Sequence, residues 1–154
     1  MSLSAWLREG KLRQHEPTKQ EIYDLFQVVD RDIRDSGISA LSPDRRFMTS
    51  YNAVLQLATV VLRVTGYRSS GVGHHWVTFQ ALPFVMGDTL QGLADYFNGC
   101  RSKRNTADYD AAGEISNLEV AELYNEALLF RSQVINWLRE SHLDLVPEGL
   151  ADQL

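Results

Sequence analysis

The chain has 154 residues, 44% of them hydrophobic and 23% charged, a length that fits one domain with a core of its own. With 15 Lys and Arg against 20 Asp and Glu, the formal net charge is −5. This excludes a generally basic nucleic-acid coat and confines any phosphate contact to a local patch. The single cysteine, Cys100, excludes an internal disulfide framework and a cysteine-based zinc site. No apolar run approaches the ~20 residues of a membrane helix, and the opening residues lack the apolar core of a secretory signal. These features predict an acidic cytoplasmic domain that keeps its thiol reduced and has no membrane contact.

The first long helix is expected to begin at Thr18, with Glu21 completing a capping box. Ile22, Leu25, Phe26, Val29 and Ile33 follow at helical spacing, and Gly37 is the expected C′ stop. The charged residues between them, Asp24, Asp30, Arg31, Asp32, Arg34 and Asp35, are expected to form the solvated face. A second helix opens at Ser42-Pro43, an N-cap followed by proline in the first turn. Phe47, Met48, Tyr51, Val54, Leu55, Ala58, Val61 and Leu62 make its apolar stripe unusually wide. From 53 to 64 only Gln56, Thr59 and Arg63 are polar, so this helix is either central in the fold or lines an interface. Gly66 ends it, and residues 67–74 read as a loop.

A third segment, roughly His75 to Lys103, is broken by Pro83 and Gly87, with Asp88 able to cap its second half. Residues 104–115 look irregular. Ser116 and Glu119 form another capping box, opening a last helix that carries Ala121, Tyr124, Leu128, Ile135 and Leu138, with Ala127 and Val134 beside them, to about Ser141. No segment sustains period-two alternation. The expectation is an all-α, up-and-down bundle of four to five helices over residues 17–142, with an N-terminal extension at 1–16 and a tail at 143–154.

Chemistry concentrates at Arg101-Ser102-Lys103-Arg104-Asn105-Thr106-Ala107-Asp108-Tyr109-Asp110. Cations at Arg101, Lys103 and Arg104 form a local positive spot in an acidic chain, and arginine can grip a phosphate bidentately. The same residues also complement a helix C-terminus, with Asp108 and Asp110 as ion-pair partners. His74-His75, the only histidine pair, either caps or packs beside Trp76 and Phe79 or sends one ring toward Arg104. Adjacent histidines do not share a helix face, so they make a poor zinc site. Gly71 and Gly73 lack the Lys-Ser/Thr of a phosphate loop. No metal or cofactor is expected. Cys100 reads as a packed thiol.

The run Arg-X-X-Arg-Asn-X-X-Asp-Tyr-Asp, closing a third bundle helix before a capped fourth, resembles the HEPN domain family (higher eukaryotes and prokaryotes nucleotide-binding). Trp6-Leu7 with Gly10-Lys11-Leu12 is similar to the opening of bacterial members. Arg46-Phe47 and Tyr51-Asn52-Ala53 with Leu57-Ala58 resemble their second helix. Gly66-Tyr67-Arg68 and Gly73-His74-His75 resemble their turn into the third. The likeness spans about residues 5–140.

It implies a helical bundle, often a homodimer, in a group that contains metal-independent ribonucleases of toxin–antitoxin and defence systems as well as non-catalytic partners of nucleotidyltransferases. It also implies catalytic positions at Arg104, Asn105 and Tyr109, phosphate binding by Arg101, Lys103 and Arg104, and accessory roles for His74, His75 and Asp108. Active members carry arginine and histidine separated by four to six residues; here four residues separate Arg104 from Tyr109, which takes that place. A phenol of pKa about 10 stays protonated at neutrality, where an imidazole of pKa about 6.5 exchanges a proton. The expected function is therefore binding of RNA or a nucleotide phosphate with weak or absent nuclease activity, in a homodimer with an antitoxin or nucleotidyltransferase partner. An active ribonuclease and a non-catalytic protein-interaction bundle are the alternatives.

Overall fold

The computed structural model describes residues 2–109 and 115–154, with the side chains of 106–109 outside that description. The fold is an all-α bundle with one small two-stranded ribbon. The long helices are α2 (Lys19–Ser36), α3 (Pro43–Val64), α6 (Gln91–Tyr109) and α7 (Asn117–Ser141). The shorter ones are α1 (Leu3–Arg8), α4 (His74–Gln80) and α5 (Leu82–Met86).

The wide apolar stripe of α3 does what its composition requires. Val54, Leu57, Ala58 and Val60 are completely buried, and α2, α4, α6 and α7 all pack against this helix. Ser42 Oγ accepts from the Arg45 amide at 3.3 Å with Pro43 in the first turn, as expected. Thr65 is the C-cap, and Gly66 follows at φ +99°, a backbone conformation that disfavours other residues. The third segment breaks where Pro83 and Gly87 predict, giving α4, α5, a 3-10 turn at Asp88–Leu90, and α6.

Several expectations are corrected. Asp30 and Asp32 are buried rather than solvated. Asp30 pairs with the fully buried Arg131 of α7, and Asp32 accepts from Arg31 and Asn52; a buried carboxylate needs such partners. Residues Tyr67–Ser69, read as loop, form strand β2 against β1 (Leu12–Gln14). Three residues per strand are too few to show alternation. Helix α6 continues to Tyr109, so residues 104–109, expected to be irregular, are helical. Gly37 caps α2 with an ordinary right-handed backbone at φ −80°. What it meets is Tyr124, whose hydroxyl lies 3.3 Å from where a Cβ would stand. The Thr18 hydroxyl accepts from the Glu21 amide at 3.2 Å, but the Glu21 carboxylate turns to His15 and Arg63 instead of closing the box. At α7 the Ser116–Glu119 box is complete.

The segment 1–16 is built into the fold. Trp6, 1% exposed, sits edge-on to Trp76 at 6.0 Å and to Phe84 at 5.4 Å. Leu12, Leu62, Val77 and Ala81 complete this second apolar cluster. At the other end Leu145, Val146 and Leu150 pack on the main core, and the Asp152 carbonyl accepts from Arg131 at 3.2 Å.

Candidate functional site

Helix geometry divides the basic run of α6. Residues two apart point ~200° around the axis from each other, whereas those three apart share a face. Arg101 and Arg104 accordingly both act electrostatically on Tyr51 of α3 and His75 of α4, and the Arg104 guanidinium lies 5.8 Å from the centre of the Tyr51 ring. Lys103 points elsewhere and pairs with Glu119 at the start of α7. The three cations expected as one spot therefore serve two places. Asn105 Oδ1 accepts from Arg104 Nη1 at 3.4 Å. The side chains of Asp108 and Tyr109, and all of Asp110, lie outside the described residues.

Of the two readings left open for the histidine pair, the structure brings one ring to the Arg104 region. His75 Nδ1 is 3.0 Å from the Tyr51 hydroxyl. His74 stays at the surface, with Nδ1 donating to the Gly71 carbonyl at 3.3 Å and its ring edge-on to His75 at 4.4 Å. Tyr51, His75 and Arg104 border a cavity of about 490 Å³ that also touches Arg31, Arg45 and Asn52.

Burial pushes the Tyr51 phenol up to about 12, against the opposing pull of Arg104 and Arg101. Burial pulls His75 down to about 4, and His74, Arg104 and Arg101 add to the effect. At neutrality the phenol keeps its proton and the imidazole is neutral. Where Tyr51 donates to Nδ1, the imidazole hydrogen sits on Nε2 and is a donor toward a phosphate oxygen; where Nδ1–H donates to the Tyr51 oxygen, Nε2 is an acceptor. The cavity lining thus combines the guanidinium groups of Arg31, Arg45 and Arg104 with a neutral imidazole and one carboxylate, Asp32, that Arg31 pairs, a net positive arrangement suited to an anion.

The sign of the pH dependence follows from the lowered imidazole. The unfolded chain takes up a proton as pH falls through about 6.5, while folded His75 does not until about 4. Its contribution to stability is complete above 6.5 and is lost between those values. In an NMR titration the His75 midpoint is expected near 4, and Arg104→Ala moves it part of the way toward 6.5, because burial remains. A wild-type midpoint at 6.5 would refute this placement of the ring.

Tyr51, Arg45 and Asn52 were not recognised as site residues from the sequence. Tyr51 reads as core, and it is 2% exposed, yet its hydroxyl faces the cavity edge through His75. The findable signal was the polar stripe of α3: Arg45, Thr49, Asn52, Gln56, Thr59 and Arg63 recur in steps of four and three, one face of a helix. Cys100 is buried, and burial pushes its thiol up to about 11, which suits a packed thiol rather than a nucleophile. Among the described residues no three His, Cys, Asp or Glu side chains gather as metal ligands, and no helix is long and apolar enough to cross a membrane. No protein-family model, curated protein or solved structure matches the chain.

Proposed function

We propose that this chain is a HEPN-like protein that holds a phosphate of RNA or of a nucleotide beside Arg104, as a toxin–antitoxin or defence-type component with weak or absent nuclease activity. One observation supports this reading above the rest: Arg104, with Arg31 and Arg45, lines one 490 Å³ cavity beside the Tyr51–His75 pair, and Arg101 acts electrostatically on the same pair. Guanidinium groups bind phosphate through paired N–H bonds, and partial desolvation strengthens them. The reading includes a homodimer whose two Arg104 sites face each other across a twofold axis, and an antitoxin or nucleotidyltransferase as partner.

Hydrogen bonds to charged groups contribute about 1.5–3 kcal/mol. Arg104→Ala is therefore expected to weaken binding of a fluorescein-labelled RNA dinucleotide or of ATP by roughly 10- to 150-fold in fluorescence anisotropy. Arg104→Lys, which keeps the charge but loses the fork, should fall between. Equal affinity in wild type and Arg104→Ala would sink the proposal.

The position of His75 favours one second reading, an active metal-independent ribonuclease. In the tautomer whose Nδ1–H donates to Tyr51, Nε2 of the neutral imidazole can accept the proton of a ribose 2′-hydroxyl, though a base of pKa about 4 is weak at neutral pH. RNA cleavage in EDTA that leaves 2′,3′-cyclic phosphate ends, and that disappears in both Arg104→Ala and His75→Gln, would establish it.

A further inference from the structure

We infer that the far end of α3 carries a second phosphate subsite, and that the ligand is a single-stranded oligonucleotide laid along the polar stripe of that helix. The inference rests on the phosphate-binding reading above and extends it to a ligand class. The stripe from Arg45 to Arg63 spans 18 residue steps, about 27 Å at 1.5 Å per residue. It borders two cavities, the 490 Å³ one beside Arg104 and another of about 220 Å³, and the two share Leu55, Gln56 and His75 as walls. The two cavities adjoin, with His75 on the wall between them.

The second cavity is lined by Arg63, Arg68 and His74. Arg63 is committed to Glu21 at 3.0 Å. Arg68 is different. It lies on β2 directly opposite Arg13 of β1, and both side chains are exposed. Directly opposed residues of an antiparallel pair share a face, and like charges there destabilise the ribbon. Among the described residues neither arginine has an ion-pair or hydrogen-bond partner on its side chain. The buried Leu12 and the flanking bonds of His15 and Ser70 hold the ribbon against that repulsion, and a bound phosphate offsets it directly.

Cations beside surface rings, here His74 and His75, are the combination that holds single strands through backbone charge and base stacking. At ~3.4 Å of rise per stacked nucleotide, 27 Å corresponds to about eight nucleotides. Outside the two cavities a net charge of −5 repels further phosphates, which limits the site to a short stretch.

The test is anisotropy with fluorescein-labelled oligouridylates of 2, 4, 8 and 12 nucleotides at low salt. Affinity should rise with length to about eight nucleotides and then level off. Arg13→Glu/Arg68→Glu should cut affinity for the 8-mer roughly tenfold or more and abolish the gain with length. Arg68→Gln, which leaves the ribbon with less charge conflict, should lower the slope of log K against log salt by ~0.7. Arg104→Ala should weaken every length. If the dinucleotide binds in an Arg104-dependent way and longer chains bind no better, the second subsite is overturned while the phosphate-binding reading stands. No binding at any length overturns both. Tighter binding of a labelled RNA duplex than of the single strand overturns the single-strand assignment.

Discussion

Asp30→Ala is expected to destabilise the protein by about 3–5 kcal/mol, the usual cost of leaving one charge of a buried pair alone. The pair joins α2 to α7. Arg131 Nε donates to Asp30 Oδ1 at 2.7 Å and Nη2 to Oδ2 at 3.2 Å, while Nη1 reaches the Asp152 carbonyl. Arg131 is 1% exposed, so its guanidinium has no water to turn to once the carboxylate is gone. At this chain length ~2–4 °C of Tm accompanies each kcal/mol, and a loss of roughly 10–15 °C should appear in thermal unfolding followed by circular dichroism. Replacing both partners, Asp30→Leu with Arg131→Met, removes the charge along with its partner and should recover most of the loss. A single-variant cost under about 1 kcal/mol would show that water reaches the pair.

That pair also marks where the sequence stopped being readable. The apolar periods of α2, α3 and α7 reveal the helices because burial of a helix face leaves a mark every three or four residues. Asp30 and Asp32 looked like surface because a carboxylate carries no sign of its partner. Arg131 lies 101 positions along the chain from Asp30, and nothing local announces it. The ribbon was hidden for a related reason: Leu12 and Ser69 pair across the fold, and three residues are too short for a pattern.

The site was half legible. The basic cluster on α6 was visible as composition, but its division into Arg101 and Arg104 on one side and Lys103 on the other depends on the helix running on to Tyr109. His75 was visible only as one of a pair. Its approach to Tyr51 spans 24 positions and depends on where α4 docks. The stripe from Arg45 to Arg63 was readable in principle, since its spacing is helical. It was overlooked because the wide apolar face of the same helix dominates the pattern.

Phe79→Ala should show that core and site are one mechanical unit. Phe79 is fully buried on α4, four residues after His75 and on the same face. Its ring meets Tyr51 at 5.9 Å and Phe97 at 5.4 Å, and Phe97 in turn meets Phe130 at 5.2 Å. A continuous run of rings thus leads from α7 through α6 and α4 to the phenol beneath Arg104. Truncation should cost about 3–5 kcal/mol, the range for a buried phenylalanine. A purely structural role predicts that loss and nothing else, provided binding is measured where the variant is folded. Positioning predicts more. With the ring gone, Tyr51 loses a wall and water gains access to His75, so the imidazole midpoint should rise from about 4 toward 6.5, because burial is the main cause of its depression. Dinucleotide affinity should weaken severalfold with it, since Arg104 sits over a phenol no longer held in place. Phe79→Leu, which refills most of the volume, should restore both readouts. A folded Phe79→Ala protein with the wild-type His75 midpoint and undiminished affinity would separate the site from the core that underlies it.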